Sequence, residues 1–225
     1  MKKSLDRGIS LFKTKRYEQA LAEFLSLDID PGESEELSYY IGLCYVKLEK
    51  YEDALLYLEQ VVTANKDLYH VYQCRMLLSY IYAITKRFRL AEFELKELIN
   101  GGYESPQVYS AAGYVAYFLS RIDESLGYLQ KALSIDPENP NALNSMGYIM
   151  ADKDIDPEGA LSYLRTAVKK RPDNPAYLDS LGWAYFKSGN PAEARAYLKR
   201  ALSLAGSNKI IAEHLRQVIA SEQDT

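Results

Sequence analysis

The sequence contains little of the chemistry on which most enzymes and metal proteins depend. Its 225 residues include only two cysteines, two histidines and one tryptophan. Two cysteines are too few for a disulfide framework or a zinc site, and His70 and His214 lie far apart in the chain. The sequence also lacks a glycine-rich phosphate loop and a Gly-x-Ser-x-Gly nucleophile turn. We therefore expect no catalytic residue, no metal site and no cofactor.

Cys44 and Cys74 fall on the first helices of two neighbouring units of an internal helical repeat, at different heights. Free cysteine behaves as a small buried hydrophobe, and reactivity requires an exposed, electropositive setting. Two buried apolar thiols are therefore predicted, in preference to a disulfide or a redox pair.

The chain also lacks an excess of positive charge and a long apolar run. Lysine and arginine number 27 against 31 aspartates and glutamates, which gives a formal net charge of −4. Such a chain has no overall field to attract a phosphate backbone, so nucleic acid is not expected as a partner. The longest uncharged stretches, such as 76–85, have about half the length that a bilayer requires. Direct insertion into a membrane is therefore not expected either.

The first residues leave the compartment open. Met1-Lys2-Lys3 is typical of the start of a signal peptide, but Asp6 and Arg7 follow before any apolar segment. Two interpretations remain: a cytoplasmic protein, or a protein of the bacterial cell envelope or periplasm whose leader has been removed.

What the sequence does contain is an internal repeat of about 34 residues. The predicted repeats are residues 1–34, 35–68, 72–105, 106–139, 140–174 and 175–208. Position eight always carries a small residue, namely Gly8, Gly42, Ser79, Gly113, Gly147 and Gly182. A second set of small residues follows about twelve positions later, at Ala20, Ala54, Ala91, Ser125, Ala160 and Ala194. Two helices approach closely only where side chains are small, so each repeat is predicted to be a helical hairpin.

Helix boundaries are marked by capping residues and by glycine. An Asn or Ser precedes a proline at the start of the first helix in the last three repeats, at 105–106, 139–140 and 174–175. Asp156-Pro157 and Asn190-Pro191 repeat this signal at two second helices, and Gly101-Gly102 predicts a helix end. The inserted residues 69–71 are expected between hairpins, where they lengthen a helix or a loop.

This pattern resembles the tetratricopeptide repeat family. The last repeat carries it most fully, with Leu181, Gly182, Tyr185, Ala194, Leu198 and Ala201. The family's tryptophan at position four is absent from every repeat. The resemblance implies an all-α fold, a right-handed superhelical solenoid of six repeats whose first helices line a concave groove. The stretch 141–201 is similar to bacterial scaffold and adaptor members of the family.

Residues 209–225 are predicted to form an amphipathic capping helix and a tail. Apolar residues of 209–221 lie on one side, at Ile210, Ile211, Leu215, Val218 and Ile219. A terminal hairpin exposes an apolar flank, so a helix with a polar back is expected to cover it.

Repeat positions two, five, nine, twelve and thirteen share one helix face, and by the resemblance they face a ligand. The candidate groove residues are Tyr39, Tyr80, Tyr114, Tyr117, Asn141, Asn144, Tyr148, Trp183, Phe186 and Lys187. Tyrosine and tryptophan are enriched at interface anchors, and the two asparagine carboxamides are suited to an extended peptide backbone. The aromatic residues have a second interpretation, which is packing against the neighbouring first helix.

Binding is therefore the predicted function: a non-catalytic adaptor that holds a protein or peptide segment in its groove. The alternative is a homo-oligomer that associates through its first hairpin, for which Leu11 and Phe12 are the candidate contacts. Single-stranded RNA ranks last because only Lys13, Lys47 and Lys187 lie on the inner face. The basic residues with which some members of the family hold a partner's terminal carboxylate are absent from the matching positions, so that role is not expected.

Overall fold

A computed structural model describes residues 2–223, and within this range it contains thirteen α-helices and no β-strand. The helices are α1 (Lys2–Lys13), α2 (Tyr17–Leu25), α3 (Glu35–Lys47), α4 (Tyr51–Ala64), α5 (Leu68–Ile84), α6 (Phe88–Asn100), α7 (Pro106–Phe118), α8 (Ile122–Ile135), α9 (Pro140–Asp152), α10 (Pro157–Lys170), α11 (Pro175–Lys187), α12 (Pro191–Ala205) and α13 (Lys209–Gln223). A single 3₁₀ turn covers Pro31–Glu33. The predicted all-α class is confirmed.

The helices form two compact units that divide after Tyr103. The N-terminal unit contains α1 to α6, and the C-terminal unit contains α7 to α13. The most extensive packing joins consecutive helices, α1 with α2, α3 with α4 and so on to α11 with α12. Each of these pairs is connected by a turn of three or four residues, so the pairs are helical hairpins.

Small residues mark the places where the two helices of a hairpin cross. A Cβ atom added to Gly113 would lie 2.7 Å from Cγ of Leu129, and one added to Gly147 would lie 2.6 Å from Cγ of Leu164. In both cases the contact comes from the second helix of the same hairpin. The Ser125 hydroxyl also uses this proximity, since it donates a buried hydrogen bond of 2.6 Å to the carbonyl oxygen of Gly113. The predicted close approach is therefore confirmed.

A residue with left-handed backbone recurs in the turn inside each hairpin. These residues are Lys15, Glu49, Lys86, Ser120, Asp154 and Gly189. Their spacing along the chain is the spacing of the small residues at position eight. The backbone therefore repeats with the period that the sequence predicts, although only the last of these turns contains the glycine that such a conformation favours.

Most of the predicted helix boundaries are confirmed. The side chains of four residues accept hydrogen bonds from the first turn of the helix that follows, namely Ser105, Asn139, Asp156 and Asn174. Helix α6 ends at Asn100, and Gly102 has a φ of 81°. Helix α12 begins at Pro191 as predicted, but the predicted side-chain cap is wrong: the Asn190 amide donates to the carbonyl oxygen of Ser188 at 3.1 Å and accepts nothing from the first turn of α12. The inserted residues 69–71 lie in the first turn of α5 and lengthen this helix.

Helix α13 covers the end of the last hairpin. Ile211 and Val218 of α13 are buried against Leu178 of α11 and Leu198 of α12. Ile210 points away from this core and is 66% exposed. The helix therefore acts as a cap, although Ile210 and Ile219 remain exposed.

Leu11 and Phe12, the candidates for self-association, pack inside the N-terminal unit. Both are partly buried against its core, and the Phe12 ring lies 5.4 Å from the ring of Tyr17 and 5.8 Å from that of Tyr40. A charge at either position would disrupt the fold and would not report on an interface.

Among the helices of residues 2–223, none combines the length and the hydropathy needed to cross a bilayer.

Candidate functional site

In the C-terminal unit the first helices of successive hairpins form a layer. Helix α7 contacts α9, α9 contacts α11, and α11 contacts α13. Because each first helix begins at a capped proline and crosses its partner at a glycine, equivalent positions on the helices point to the same side. This layer carries most of the candidate groove residues.

A pocket of about 200 Å³ lies in this layer. It is lined by Tyr114, Tyr117 and Phe118 of α7, by Asn144, Ser145, Tyr148 and Ile149 of α9, by Ala176, Asp179 and Ser180 of α11, and by Ile210 and His214 of α13. The capping helix thus supplies one wall of the pocket, a role that its sequence pattern does not predict.

Aromatic rings make up the wall on the α7 side. The Phe118 ring centroid lies 4.7 Å from that of Tyr114 and 5.3 Å from that of Tyr117. Tyr117 also meets Tyr148 edge to face at 6.0 Å. Tyr114 is 43% exposed and Phe118 is 46% exposed. This surface is therefore available to a partner, in contrast to most large aromatic side chains of the unit.

Carboxylates next to these rings fix the tyrosine hydroxyls. Tyr117 donates its hydroxyl proton to Oδ2 of Asp152 at 2.8 Å, and Nζ of Lys153 lies 2.9 Å from the same oxygen. Burial alone would raise the pKa of the Asp152 carboxyl, but the hydrogen bonds from Lys153 and Tyr117 outweigh it and lower that pKa. Burial, followed by the negative charge of Asp152, raises the pKa of Tyr148 to about 12, and Asp179 adds to this rise. Both phenols are neutral at ordinary pH.

Asp179 and His214 join the capping helix to the groove. Nδ1 of His214 lies 2.9 Å from Oδ1 of Asp179, and both residues are buried. The Trp183 ring stacks on the imidazole with a centroid distance of 4.5 Å. The Trp183 indole nitrogen is buried and makes no hydrogen bond of normal geometry with the described residues, although it lies near enough to Asp152 to help lower the pKa of that carboxyl. Trp183 is thus chiefly a contact between α11 and α13.

The two candidate asparagines have different surroundings. Asn144 lines the pocket, and its side-chain oxygen is buried without a hydrogen-bond partner among residues 2–223. Asn141 is exposed, and its side-chain oxygen accepts a hydrogen bond from the Tyr177 hydroxyl. Of the pair, Asn144 is the one with an unused acceptor beside the pocket.

The other candidate residues lie outside the pocket. Phe186 is partly buried against the core beneath α13, and Nζ of Lys187 forms an ion pair with Asp154 at 3.1 Å. Tyr39 and Tyr80 belong to the N-terminal unit. Tyr39 is only 9% exposed, because its ring stacks on His70 with a centroid distance of 4.0 Å, whereas Tyr80 is 51% exposed. The candidates that line the pocket are Tyr114, Tyr117, Asn144 and Tyr148.

His214 and Ile210 were not predicted as pocket residues, because the pattern of apolar residues in 209–221 indicates only a cap. A signal was available: His214 stands 35 residues after Asp179, which is one repeat length.

Cys44 and Cys74 are free, buried thiols, and burial raises the pKa of each to about 12. In the part of the chain that the structure describes, no three His, Cys, Asp or Glu side chains are grouped as metal ligands would be.

Comparisons with known proteins identify the family. A tetratricopeptide repeat model matches residues 36–68 and 106–139, and a second tetratricopeptide repeat model matches residues 156–209. These matches together cover more than half of the chain. No curated protein is similar enough in sequence to count as a relative.

Solved structures show the same fold. TTC0263, a thermophilic tetratricopeptide repeat protein of Thermus thermophilus, has a TM-score of 0.67 and 18% identity, with 83% of this chain and 100% of that one covered. A tetratricopeptide repeat protein from Parabacteroides merdae has a TM-score of 0.71 and 13% identity, with coverage of 96% and 83%. YrrB, a member with an unusual peptide-binding site, has a TM-score of 0.55 and 16% identity, with coverage of 80% and 91%. The chain belongs to the tetratricopeptide repeat family.

Proposed function

We propose that this protein is a non-catalytic adaptor that holds a segment of another protein along α7, α9, α11 and α13. The observation that carries the proposal is the aromatic pocket in this layer, with Tyr114 and Phe118 exposed at its edge. Within this proposal each hairpin is one repeat with the predicted bounds, and the groove is built from the first helices of the last three repeats.

The exposed aromatic rings of the pocket favour a protein as the ligand. Exposed tyrosine and phenylalanine rings already held in place by their neighbours bury a large area at little entropic cost. Tyr114, Tyr117 and Tyr148 are ordered by ring contacts and by the hydrogen bond to Asp152. A partner thus meets a surface that needs little rearrangement on binding.

The unpartnered side-chain oxygen of Asn144 favours an extended peptide as the ligand. A buried carbonyl oxygen without a hydrogen-bond partner costs free energy, and a peptide N–H from the ligand would satisfy it. The NH₂ group of the Asn144 carboxamide can in turn donate to a carbonyl oxygen of the peptide. Such contacts recognise the main chain and leave the choice of sequence to the neighbouring pocket.

The family supports the same conclusion. Tetratricopeptide repeats are protein-interaction modules, and YrrB, which shares the fold, is a member with a peptide-binding site. At 16% identity this likeness supports the kind of ligand and does not locate its site in this chain.

Alanine substitutions in the pocket test the proposal. Tyr114→Ala and Tyr148→Ala should each weaken partner binding by at least about 2 kcal/mol, the usual cost of removing an interface anchor. Phe93→Ala is the control, because Phe93 is a 56% exposed aromatic residue of the N-terminal unit. Circular dichroism should show unchanged helicity for all three variants.

Affinity capture from the native organism provides the readout. Wild type, the Tyr114/Tyr148 double alanine variant and Phe93→Ala are compared side by side. Capture of the same proteins in the same amounts by all three would contradict the proposal. Trp183 is a poorer probe, because its stacking on His214 connects α11 to α13 and its loss would also affect stability.

A further inference from the structure

We propose that the pocket accepts a basic side chain, lysine or arginine, of the bound segment. This inference rests on the proposed function and adds the chemical class of the anchor residue. It is drawn from the charges, the aromatic walls and the size of the pocket.

The polar groups that line the pocket include a carboxylate and an amide oxygen that lacks a hydrogen-bond partner. Among its lining residues, all within 2–223, there is one carboxylate, Asp179, and there is no lysine or arginine. The only polar contact found for the Asp179 carboxylate in that range is the one to His214, while the side-chain oxygen of Asn144 is buried and unpartnered. A buried carboxylate is stabilised by a positive partner, and here the chain supplies only an imidazole.

Nearby basic residues do not occupy the pocket. Lys153 is bound to Asp152 and already lies over the Tyr117 ring, with Nζ 5.4 Å from the ring centroid, and Lys187 is bound to Asp154. Lys209 and Arg216 line an adjoining recess on α13, where Arg216 lies 2.7 Å from Glu213. The charges of these residues therefore leave the pocket itself without a lining cation.

The aromatic walls favour the same ligand charge. The faces of Tyr114, Phe118 and Tyr148 carry negative quadrupole potential, which attracts ammonium and guanidinium groups. The negative charges of Asp152 and Asp179 also favour a cation here. Together with burial, which has the larger effect, they raise the pKa of the Tyr148 hydroxyl to about 12. An acidic side chain would meet repulsion from Asp179 at this place.

The size of the pocket fits one long side chain. Its volume of about 200 Å³ is below the range of about 300–1,000 Å³ that is usual for small-molecule sites. Lysine and arginine have apolar stems that pack on rings while the charged end reaches a carboxylate. A purely apolar side chain would fill the space but would leave the Asn144 oxygen without a hydrogen bond and the Asp179 carboxylate with His214 as its one polar partner among residues 2–223.

Selection from a random twelve-residue peptide library displayed on phage, against the full chain, tests the inference. The selected peptides should share lysine or arginine at one fixed position. A synthetic selected peptide in which norleucine replaces that residue keeps an apolar stem and loses the charge. It should bind at least about tenfold more weakly, in line with a desolvated cation–π contact.

Asp179→Asn locates the effect. This variant should bind the charged peptide more weakly and the norleucine peptide unchanged, so that the preference between them is lost. Asp173→Asn is the control, because it makes the same change of charge at an exposed residue that pairs with Arg200. Tyr114→Ala removes an aromatic wall without touching the contact between Asp179 and His214, and it should also reduce the preference.

The outcomes separate the two proposals. Selected peptides with an apolar or acidic residue at the fixed position, or equal binding of the norleucine peptide, would overturn the basic anchor and leave the adaptor function standing. Recovery of no peptide that distinguishes wild type from Tyr148→Ala would overturn the adaptor function itself. A preference that survives both Asp179→Asn and Tyr114→Ala would place the basic residue elsewhere on the surface.

Discussion

At the residue scale, the glycines of the repeat determine where the paired helices cross, because they have no side chain. Position eight of the repeat is small because the neighbouring helix occupies the space where a Cβ atom would lie. At Gly147 that atom would be 2.6 Å from Cγ of Leu164 and 2.7 Å from the carbonyl oxygen of Ala160. The second of these contacts involves backbone, which cannot rotate out of the way.

Gly147→Ala should therefore destabilise the C-terminal unit by about 1–3 kcal/mol, the usual cost of overpacking a core. Gly127→Ala is the matched control: this glycine is exposed within α8, and no atom lies within 4 Å of an added Cβ. It should stabilise the protein by about 0.5–1 kcal/mol, because alanine is the better helix former. Urea unfolding followed by circular dichroism measures both changes, and a gain of stability in Gly147→Ala would refute the close approach.

Also at this scale, residue type alone did not decide which candidates are accessible. Asn141 and Asn144 lie on the same helix, yet one is bonded to Tyr177 and the other has an unused oxygen at the pocket. Tyr39 and Tyr114 are both candidate tyrosines, but a histidine covers the first and leaves 9% of it exposed. These differences arise from partners that are distant in sequence.

At the scale of the elements, the capping helix has two functions. It closes the core of the last hairpin through Ile211 and Val218, and it lines the pocket through Ile210 and His214. The packing of one side therefore determines where the other side stands.

Val218→Ala tests this coupling, since Val218 is fully buried. The loss of two buried methyl groups should cost about 2 kcal/mol in the free energy of unfolding. Ile219→Ala is the control at the next position, where the side chain is 36% exposed, and it should cost less than about 1 kcal/mol. Hydrogen exchange in α13 should accelerate in Val218→Ala alone. Equal effects of the two substitutions would mean that α13 is not docked through this face.

Each histidine of the chain has the same local arrangement. His70 stacks on Tyr39 with Glu35 at 3.5 Å, and His214 stacks on Trp183 with Asp179 at 2.9 Å. In both cases the carboxylate stands 35 residues before the histidine, and the aromatic residue stands 31 before it. The period of the repeat makes such a pairing predictable, whereas a search for metal-ligand spacing overlooks it.

At the scale of the whole molecule, the adaptor and the self-associating homo-oligomer differ in the mass of the protein in solution. We expect light scattering to give the mass of a single chain at every concentration tested. A mass that rises with concentration, and that Tyr114→Ala lowers, would favour self-association through the groove. The same rise in Tyr114→Ala would point to another surface. Substitutions at Leu11 or Phe12 are unsuitable for this test, because these residues are partly buried and pack against the core of the N-terminal unit.

The sequence alone determined the family, the helices and the places where paired helices touch. It could do so because a small residue at a fixed period and a capping residue before proline act within one hairpin, over distances that the chain itself spans. Only the tertiary structure decided that the pocket takes its fourth wall from α13, that Asp179 meets His214 and that Asn144 keeps an oxygen unpaired. Those contacts join separate hairpins, where packing between successive first helices sets each side chain's position.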